Sequence, residues 1–116
     1  MSAHADSNTV VLVENQNGKS VQLPIGGQLV VRLPAQLGTG FSWAVVSRNG
    51  DALRLMQQRT ESAGRMRPGG AEEQVFVFAP QTSGFEQVEL AYRRPWEKDQ
   101  PPARVFRFTA TVTAGQ

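Results

Sequence analysis

Few residues in this chain are suited to covalent chemistry. His4 is the single histidine, cysteine is absent, and twelve lysines and arginines exceed ten carboxylates by only two. General acid–base work, serine nucleophiles and catalytic metals usually recruit a well-placed imidazole, and His4 lies in a polar amino-terminal stretch with no such partners at usable spacing. Without thiols there can be no disulfide scaffold, thiolate-bound zinc, iron–sulfur cluster or cysteine nucleophile. The chain is therefore read as a non-enzyme with no catalytic residue, no metal site and no cofactor. The adjacent Glu72 and Glu73 do not alter this, because neighbours on a strand point to opposite faces and describe a solvated edge better than an acid–base pair.

What remains are residue types that recognise rather than react, and they fall in three clusters. Gly38-Thr39-Gly40 precedes Phe41-Ser42-Trp43, and glycines flanking a threonine let another backbone come close. Phe41 and Trp43, two apart on a strand, are expected to share the buried face. Arg65-Met66-Arg67-Pro68-Gly69-Gly70 precedes a strand carrying Phe76 and Phe78. A phosphate cradle would need a helix amino terminus behind those glycines, and a strand follows instead. Arg93-Arg94-Pro95-Trp96-Glu97-Lys98 closes the set. A tryptophan just beyond a strand, after a direction-fixing proline, is easier to present outward than to bury, and tryptophan and arginine are the types most enriched in binding hot spots.

The elements that must position these clusters are strands. At 116 residues, with 40% hydrophobic and 19% charged, the chain is an ordinary single globular domain, expected as a flexible tail over 1–8 and one β-sandwich over 9–116. No apolar run approaches the roughly 18 residues of a membrane span. Period-two alternation dominates. Val88, Leu90 and Tyr92 share one face of one strand, and Phe106, Phe108, Ala110 and Val112 one face of another. Further strands are predicted over Thr9–Glu14, Ser20–Leu23, Gln28–Leu33, Phe41–Ser47, Leu53–Gln58 and Gln74–Ala79, punctuated by glycine, proline and asparagine. Seven to eight short strands without a helix predict an all-β, immunoglobulin-like antiparallel sandwich, in which Trp43 must pack without the usual disulfide. The connections alternate in length: Pro34–Gly40, Arg59–Gly70 and Pro95–Ala103 are long, whereas Asn49–Asp51 and Gln81–Gly84 are short. Since each turn reverses the chain, three long loops should gather at one end, and loops longer than closure requires are where binding resides.

Taken in order, Gly38-Thr39-Gly40-Phe41-Ser42-Trp43, Pro68-Gly69-Gly70 and Arg94-Pro95-Trp96 resemble the three motifs of the chagasin-type inhibitors of papain-like cysteine proteases, with a likeness running from about Val21 to Val112. The first family motif reads Asn-Pro-Thr-Thr-Gly-aromatic-x-Trp. The chain keeps its second threonine as Thr39, its glycine as Gly40, its aromatic as Phe41 and its tryptophan as Trp43, and departs at Gln36, Leu37 and Gly38. Of the second motif, Gly-x-Gly-Gly, it keeps Gly69 and Gly70 with Arg67 at the first glycine, and the third motif is intact.

The resemblance implies a reversible, non-covalent inhibitor whose three loops occlude a papain-like active-site cleft. The protease-binding residues it implies are Gly38, Thr39, Gly40 and Phe41 in the first loop, Arg67, Pro68, Gly69 and Gly70 in the second, and Arg94, Pro95 and Trp96 in the third. The partners would be papain or cathepsin L-like enzymes, met by a monomer, with neither nucleic acid nor membrane involved. The alternative is a basic binding module for single-stranded nucleic acid, a glycan or an adhesion partner, using Arg59, Arg65, Arg67, Arg93, Arg94 and Lys98 around a stacking Trp96. No charged-then-apolar leader opens the sequence, so the compartment is cytoplasmic if the chain is full length, and periplasmic or secreted if a leader preceded Ala3-His4-Ala5.

Overall fold

The computed structural model describes residues 9–62 and 72–114. Eight strands are present: β1 (Thr9–Val13), β2 (Lys19–Pro24), β3 (Gln28–Ala35), β4 (Ser42–Asn49), β5 (Leu53–Ser62), β6 (Glu72–Pro80), β7 (Gly84–Arg93) and β8 (Arg104–Thr113). They form two four-stranded sheets, ordered β1-β3-β6-β5 and β2-β8-β7-β4. Both sheets are open, so the architecture is the expected immunoglobulin-like sandwich. The predicted strands coincide with the observed ones to within a few residues at each end. Glu14 leaves β1 for a 3-10 turn, and Phe41 stands just outside β4.

Alternation explains the core. Phe106, Phe108, Ala110 and Val112 of β8 are all buried, as are Val88, Leu90 and Tyr92 of β7, and they face Leu29, Val31 and Leu33 of β3 and Phe76 and Phe78 of β6. Phe78 meets Phe108 edge-on between the sheets, with ring centroids 5.7 Å apart. Each fully buried phenylalanine or leucine contributes about 1.5 to 3 kcal/mol by leaving water, so this double layer is what holds the loops' roots in place. On the outer face, register places Val75 between Arg32 and Arg59. Their long stems lie over a valine that is itself buried, while their charged heads stay at the surface.

Pairing departs from simple alternation of direction at two places. β1 pairs in parallel with β3, and β2 in parallel with β8. The cause is that the chain crosses between sheets at Glu14–Gly18 and again at Ile25–Gly27, so neither β1 nor β2 is a hairpin partner of the next strand. The outermost strands β4 and β5 each carry a bulge, at Val46 and Met56, whose side chains are exposed. An interrupted ladder on a free edge discourages strand addition by another chain.

The expected gathering of long connections follows from register. The end of β3 pairs with the start of β6 and the end of β5 with the same residues, while the start of β4 pairs with the end of β7, which pairs with the start of β8. Residues 36–41, the connection between β5 and β6, and residues 94–103 therefore leave the sandwich at one end.

Candidate functional site

The first loop is rooted by three side chains. Tyr92 faces inward, as its period-two position requires, and its hydroxyl accepts a hydrogen bond from the Gln36 backbone N–H at 2.9 Å. The Trp43 indole, only 3% exposed, lies 5.0 Å from the Tyr92 ring and donates from Nε1 to the Pro34 carbonyl at 2.9 Å, tying the loop's exit to its entry. The third root crosses between the sheets. The Gln74 side chain accepts from the Trp43 N–H at 2.7 Å and donates to the Trp43 carbonyl at 3.1 Å, as a partner strand would. Buried polar groups that are paired in this way rigidify what they join.

Above those roots, Leu37–Thr39 form a 3-10 turn. Thr39 donates to the Gln36 carbonyl from its backbone at 3.0 Å and from its hydroxyl at 2.6 Å. Gly40 follows with φ +90, a left-handed conformation that strains any residue bearing a Cβ. Gly38 and Thr39 are exposed, whereas Gly40 and Phe41 are half-buried.

The third loop is held at both limbs. Ala103 N–H donates to the Tyr92 carbonyl at 2.8 Å and Arg93 Nη2 to the Gln100 carbonyl at 2.7 Å, while turns close from Glu97 N–H to Arg94 O at 3.0 Å and from Gln100 N–H to Glu97 O at 3.2 Å. Pro95 and Trp96 are thereby presented outward, and Trp96 is 68% exposed. Its ring nevertheless rests on the first loop. A Cβ built on Gly40 would lie 2.5 Å from Trp96 Cη2 and 3.2 Å from Cζ2. The two loops also meet through Arg94, whose Nε donates to the Thr39 carbonyl at 3.1 Å and whose guanidinium sits 4.6 Å over the Phe41 ring. Phe41 in turn stacks on Tyr92 with centroids 5.4 Å apart.

The second loop's Arg67, Pro68, Gly69 and Gly70 lie outside the described residues, as do Arg65 and the amino-terminal stretch 1–8. At the base of that loop, Arg32 Nη1 stands 2.9 Å from Glu61 and 3.0 Å from Glu73, and Arg59 Nε stands 2.7 Å from Glu61. The hydrogen bond from Arg32, and then that from Arg59, hold the Glu61 carboxyl below its ordinary value of 4.5. Glu73 is thus half of an outward ion pair, not part of a catalytic carboxylate couple.

The structure brings together Gly38, Thr39, Gly40, Phe41, Arg94, Pro95 and Trp96 from two of the three sequence clusters. Of the two further side chains that hold these loops, Gln74 is absent from the three sequence clusters, and Arg93 belongs to the third cluster and the basic-module alternative but not to the protease-binding set. Gln74 had a signal: it falls in the inward register with Phe76 and Phe78, where a polar side chain must find a partner. For Arg93 no pattern marks that it reaches a carbonyl seven residues on. Among the described residues no group of three or more His, Cys, Asp or Glu could hold a metal, and no helix is long and apolar enough to cross a membrane. The three clustered arginines of the basic-module alternative that are described, Arg59, Arg93 and Arg94, are all engaged within the protein.

Comparison with known proteins gives one family and several structures. Residues 22–112 match the family described as chagasin family peptidase inhibitor I42. The fold is shared with the cysteine protease inhibitor EhICP2 from Entamoeba histolytica, at a TM-score of 0.81 and 20% identity over 90% of this chain and 96% of that one. Amebosin superimposes at 0.71 with 24% identity, covering 90% of this chain and 98% of its own. PbICP-C, solved in complex with falcipain-2, superimposes at 0.65 with 18% identity, covering 91% and 99%. Among curated proteins, comparison by sequence gives no match.

Proposed function

Since the chain belongs to the chagasin family of peptidase inhibitors, we infer that it is a reversible, non-covalent inhibitor of papain-like cysteine proteases that fills the active-site cleft with its loop end. The observation that carries this reading is the junction of the first and third loops. An exposed tryptophan lies across a left-handed glycine, and a tyrosine, a tryptophan and a glutamine fix the roots beneath them. A surface assembled before binding loses little conformational freedom on docking, which is the cost that otherwise erodes loop-mediated affinity. The fold relative PbICP-C was solved in complex with falcipain-2, and a protease partner is assigned to this chain on the strength of its family.

In this reading the backbone at Gly38, Thr39 and Gly40 approaches the catalytic residues of the protease, Trp96 packs against one wall of the cleft, and Arg67, Pro68, Gly69 and Gly70 of the second loop brace the other. Phe41, Arg94 and Pro95 shape and stiffen the surface from behind. Occlusion presents no peptide bond to the protease thiolate and requires no chemistry from the inhibitor. A loop-built interface of ordinary size removes about 800 Å² from each partner, enough for tight binding when its central aromatic is well seated.

Steady-state inhibition of papain and of a cathepsin L-like enzyme by the purified chain, with a serine protease as control, tests the proposal. Competitive inhibition of the cysteine proteases alone is the expected result. Equal effect on all three enzymes, or none on any, refutes it.

A further inference from the structure

Arg94 opens the third-loop motif Arg94-Pro95-Trp96, yet its side chain turns away from the exposed Trp96 and onto the first loop. Nε donates to the Thr39 carbonyl at 3.1 Å, the guanidinium plane covers the Phe41 ring at 4.6 Å, and Nη1 lies 3.3 Å from the Glu97 carboxylate. Two of those three contacts are made to the first loop. The first loop's own tip bonds are local, running from Thr39 to Gln36 and, at 3.4 Å, from the Phe41 N–H to the Thr39 hydroxyl, and its tip contains two glycines. Left to itself, a segment of that composition samples many conformations. The rooting bonds at Gln36 and Trp43 lie below the tip and do not restrain Thr39 or Gly40 directly. A charged donor on a backbone carbonyl and a cation on an aromatic face are the stronger members of their classes, and here one side chain makes both.

We propose that Arg94 is a positioning residue: it locks the tip of the first loop to the third, so that Thr39-Gly40 and Trp96 meet the protease as one preformed surface, and it does not itself bind the enzyme. The proposal rests on the cleft-filling reading above and deepens it.

A lock and a contact differ kinetically. Where the competent loop arrangement is only partly populated, apparent affinity falls by that fraction, and when the loops interconvert faster than the partners meet, the loss appears in the association rate. Loss of a direct contact appears mainly in the dissociation rate. Arg94→Met keeps the stem and removes every donor. Arg94→Lys keeps the charge but loses the planar group that bonds Thr39 and covers Phe41. The lock can also be replaced by another device. Leu37 opens the 3-10 turn, the position where proline's fixed φ is helpful and its missing N–H least harmful, so Leu37→Pro should stiffen the tip from within.

The experiment compares wild type, Arg94→Met, Arg94→Lys and Arg94→Met/Leu37→Pro by stopped-flow association with papain, by dissociation from the complex, and by ¹⁵N order parameters of residues 38–41 in the free protein, with Tm recorded for each. Both single variants should associate about tenfold more slowly, the usual worth of a charged hydrogen bond, with dissociation little changed and lowered order parameters at Thr39 and Gly40. The double variant should regain most of the association rate and of the order. Faster dissociation with unchanged association, full activity of Arg94→Lys, or no recovery on adding Leu37→Pro overturns the proposal. If wild type fails to inhibit papain, the cleft-filling reading falls by itself. The order parameters then still decide the lock, since unchanged values in both Arg94 variants overturn it and lowered values uphold it.

Discussion

Replacing Gly40 by alanine adds one methyl group at the point where two loops touch. The new Cβ meets two obstacles. Its backbone sits at φ +90, and it would stand 2.5 Å from Trp96 Cη2, nearer than real Cβ atoms come to any neighbour. Holding a non-glycine residue in a left-handed conformation costs about 1 to 2 kcal/mol, and because this is a surface loop the chain can relax locally, so that figure caps the loss of global stability. At about 4 to 8 °C per kcal/mol in a domain near this size, it corresponds to a fall in Tm of about 4 to 16 °C. Binding suffers more. To admit the methyl the indole must swing off the first loop or the tip must change its path, and either outcome separates the two halves of the proposed contact surface. If Trp96 is the anchor, misplacing it removes a hot spot of about 2 to 4 kcal/mol, roughly a 30- to 1,000-fold rise in Ki. The assay pairs Ki against papain with thermal melts of Gly40→Ala, Trp96→Ala and the double variant. Because the damage acts through the indole, Gly40→Ala should cost much less affinity in the Trp96→Ala background than in wild type, a coupling that distant independent sites would not show. Strict additivity, or a large loss of stability with Ki unchanged, would refute the reasoning.

Other expectations are more direct. Trp96→Ala alone should raise Ki about 30- to 1,000-fold while Tm hardly moves, since a side chain 68% exposed gives few core contacts. A melt depressed as by loss of a buried tryptophan, with normal inhibition by the folded fraction, would contradict the assignment. Long incubation of the complex should leave the inhibitor chain intact by mass spectrometry, and specific cleavage between Gly38 and Phe41 with loss of inhibition would mark a substrate-like mechanism. Glu86 is fully buried at the end of the sandwich away from the loops, 2.5 Å from Arg48 Nε and accepting from the Leu53 N–H at 2.8 Å. Glu86→Ala should cost about 1 to 3 kcal/mol in a denaturant titration, because it leaves the buried Leu53 N–H without its acceptor while Arg48 can turn to water, yet Ki of the folded protein should be unchanged. Arg32 and then Arg59 hold the Glu61 carboxyl below 4.5, so its contribution is fully present above that value and lost as pH falls through the lower folded value. Tm of Glu61→Gln should therefore lie below wild type at neutral pH, and the gap should close in increasingly acid buffer.

Strands β7 and β8 were legible because burial on one face writes itself as alternation, clearest in Phe106, Phe108, Ala110 and Val112, and the other six through the glycine, proline and asparagine at their ends. Loop lengths were legible too, and with them the common end of the sandwich. Pairing direction was not. A strand beside a parallel neighbour has the same alternation as one beside an antiparallel neighbour, so nothing in Thr9–Val13 or Lys19–Pro24 announced their partners β3 and β8. The candidate site was legible as clusters of residue types, and Trp96 is exposed as its position after Pro95 implied. What each arginine does was hidden. Arg93 and Arg94 are neighbours of one type, yet one reaches Gln100 and the other Thr39, a choice made by the loops' three-dimensional course. The alternation of Val88, Leu90 and Tyr92 extends one step further back to Glu86, an inward carboxylate that has to find a partner.

The two parallel pairings have a practical consequence for how the domain can be mounted. β1 enters alongside the first residue of β3, and β8 leaves alongside the last residue of β2, both at the end of the sandwich opposite the loops. A tether, a second copy or the surface of a biosensor chip fixed at the first residue of β1 or the last of β8 is therefore anchored on the side away from the loops, like the handle of a chisel. The cutting edge stays clear. Such a module can be strung in series or fixed by either end without shielding its working face, and two copies in tandem could hold two proteases at once.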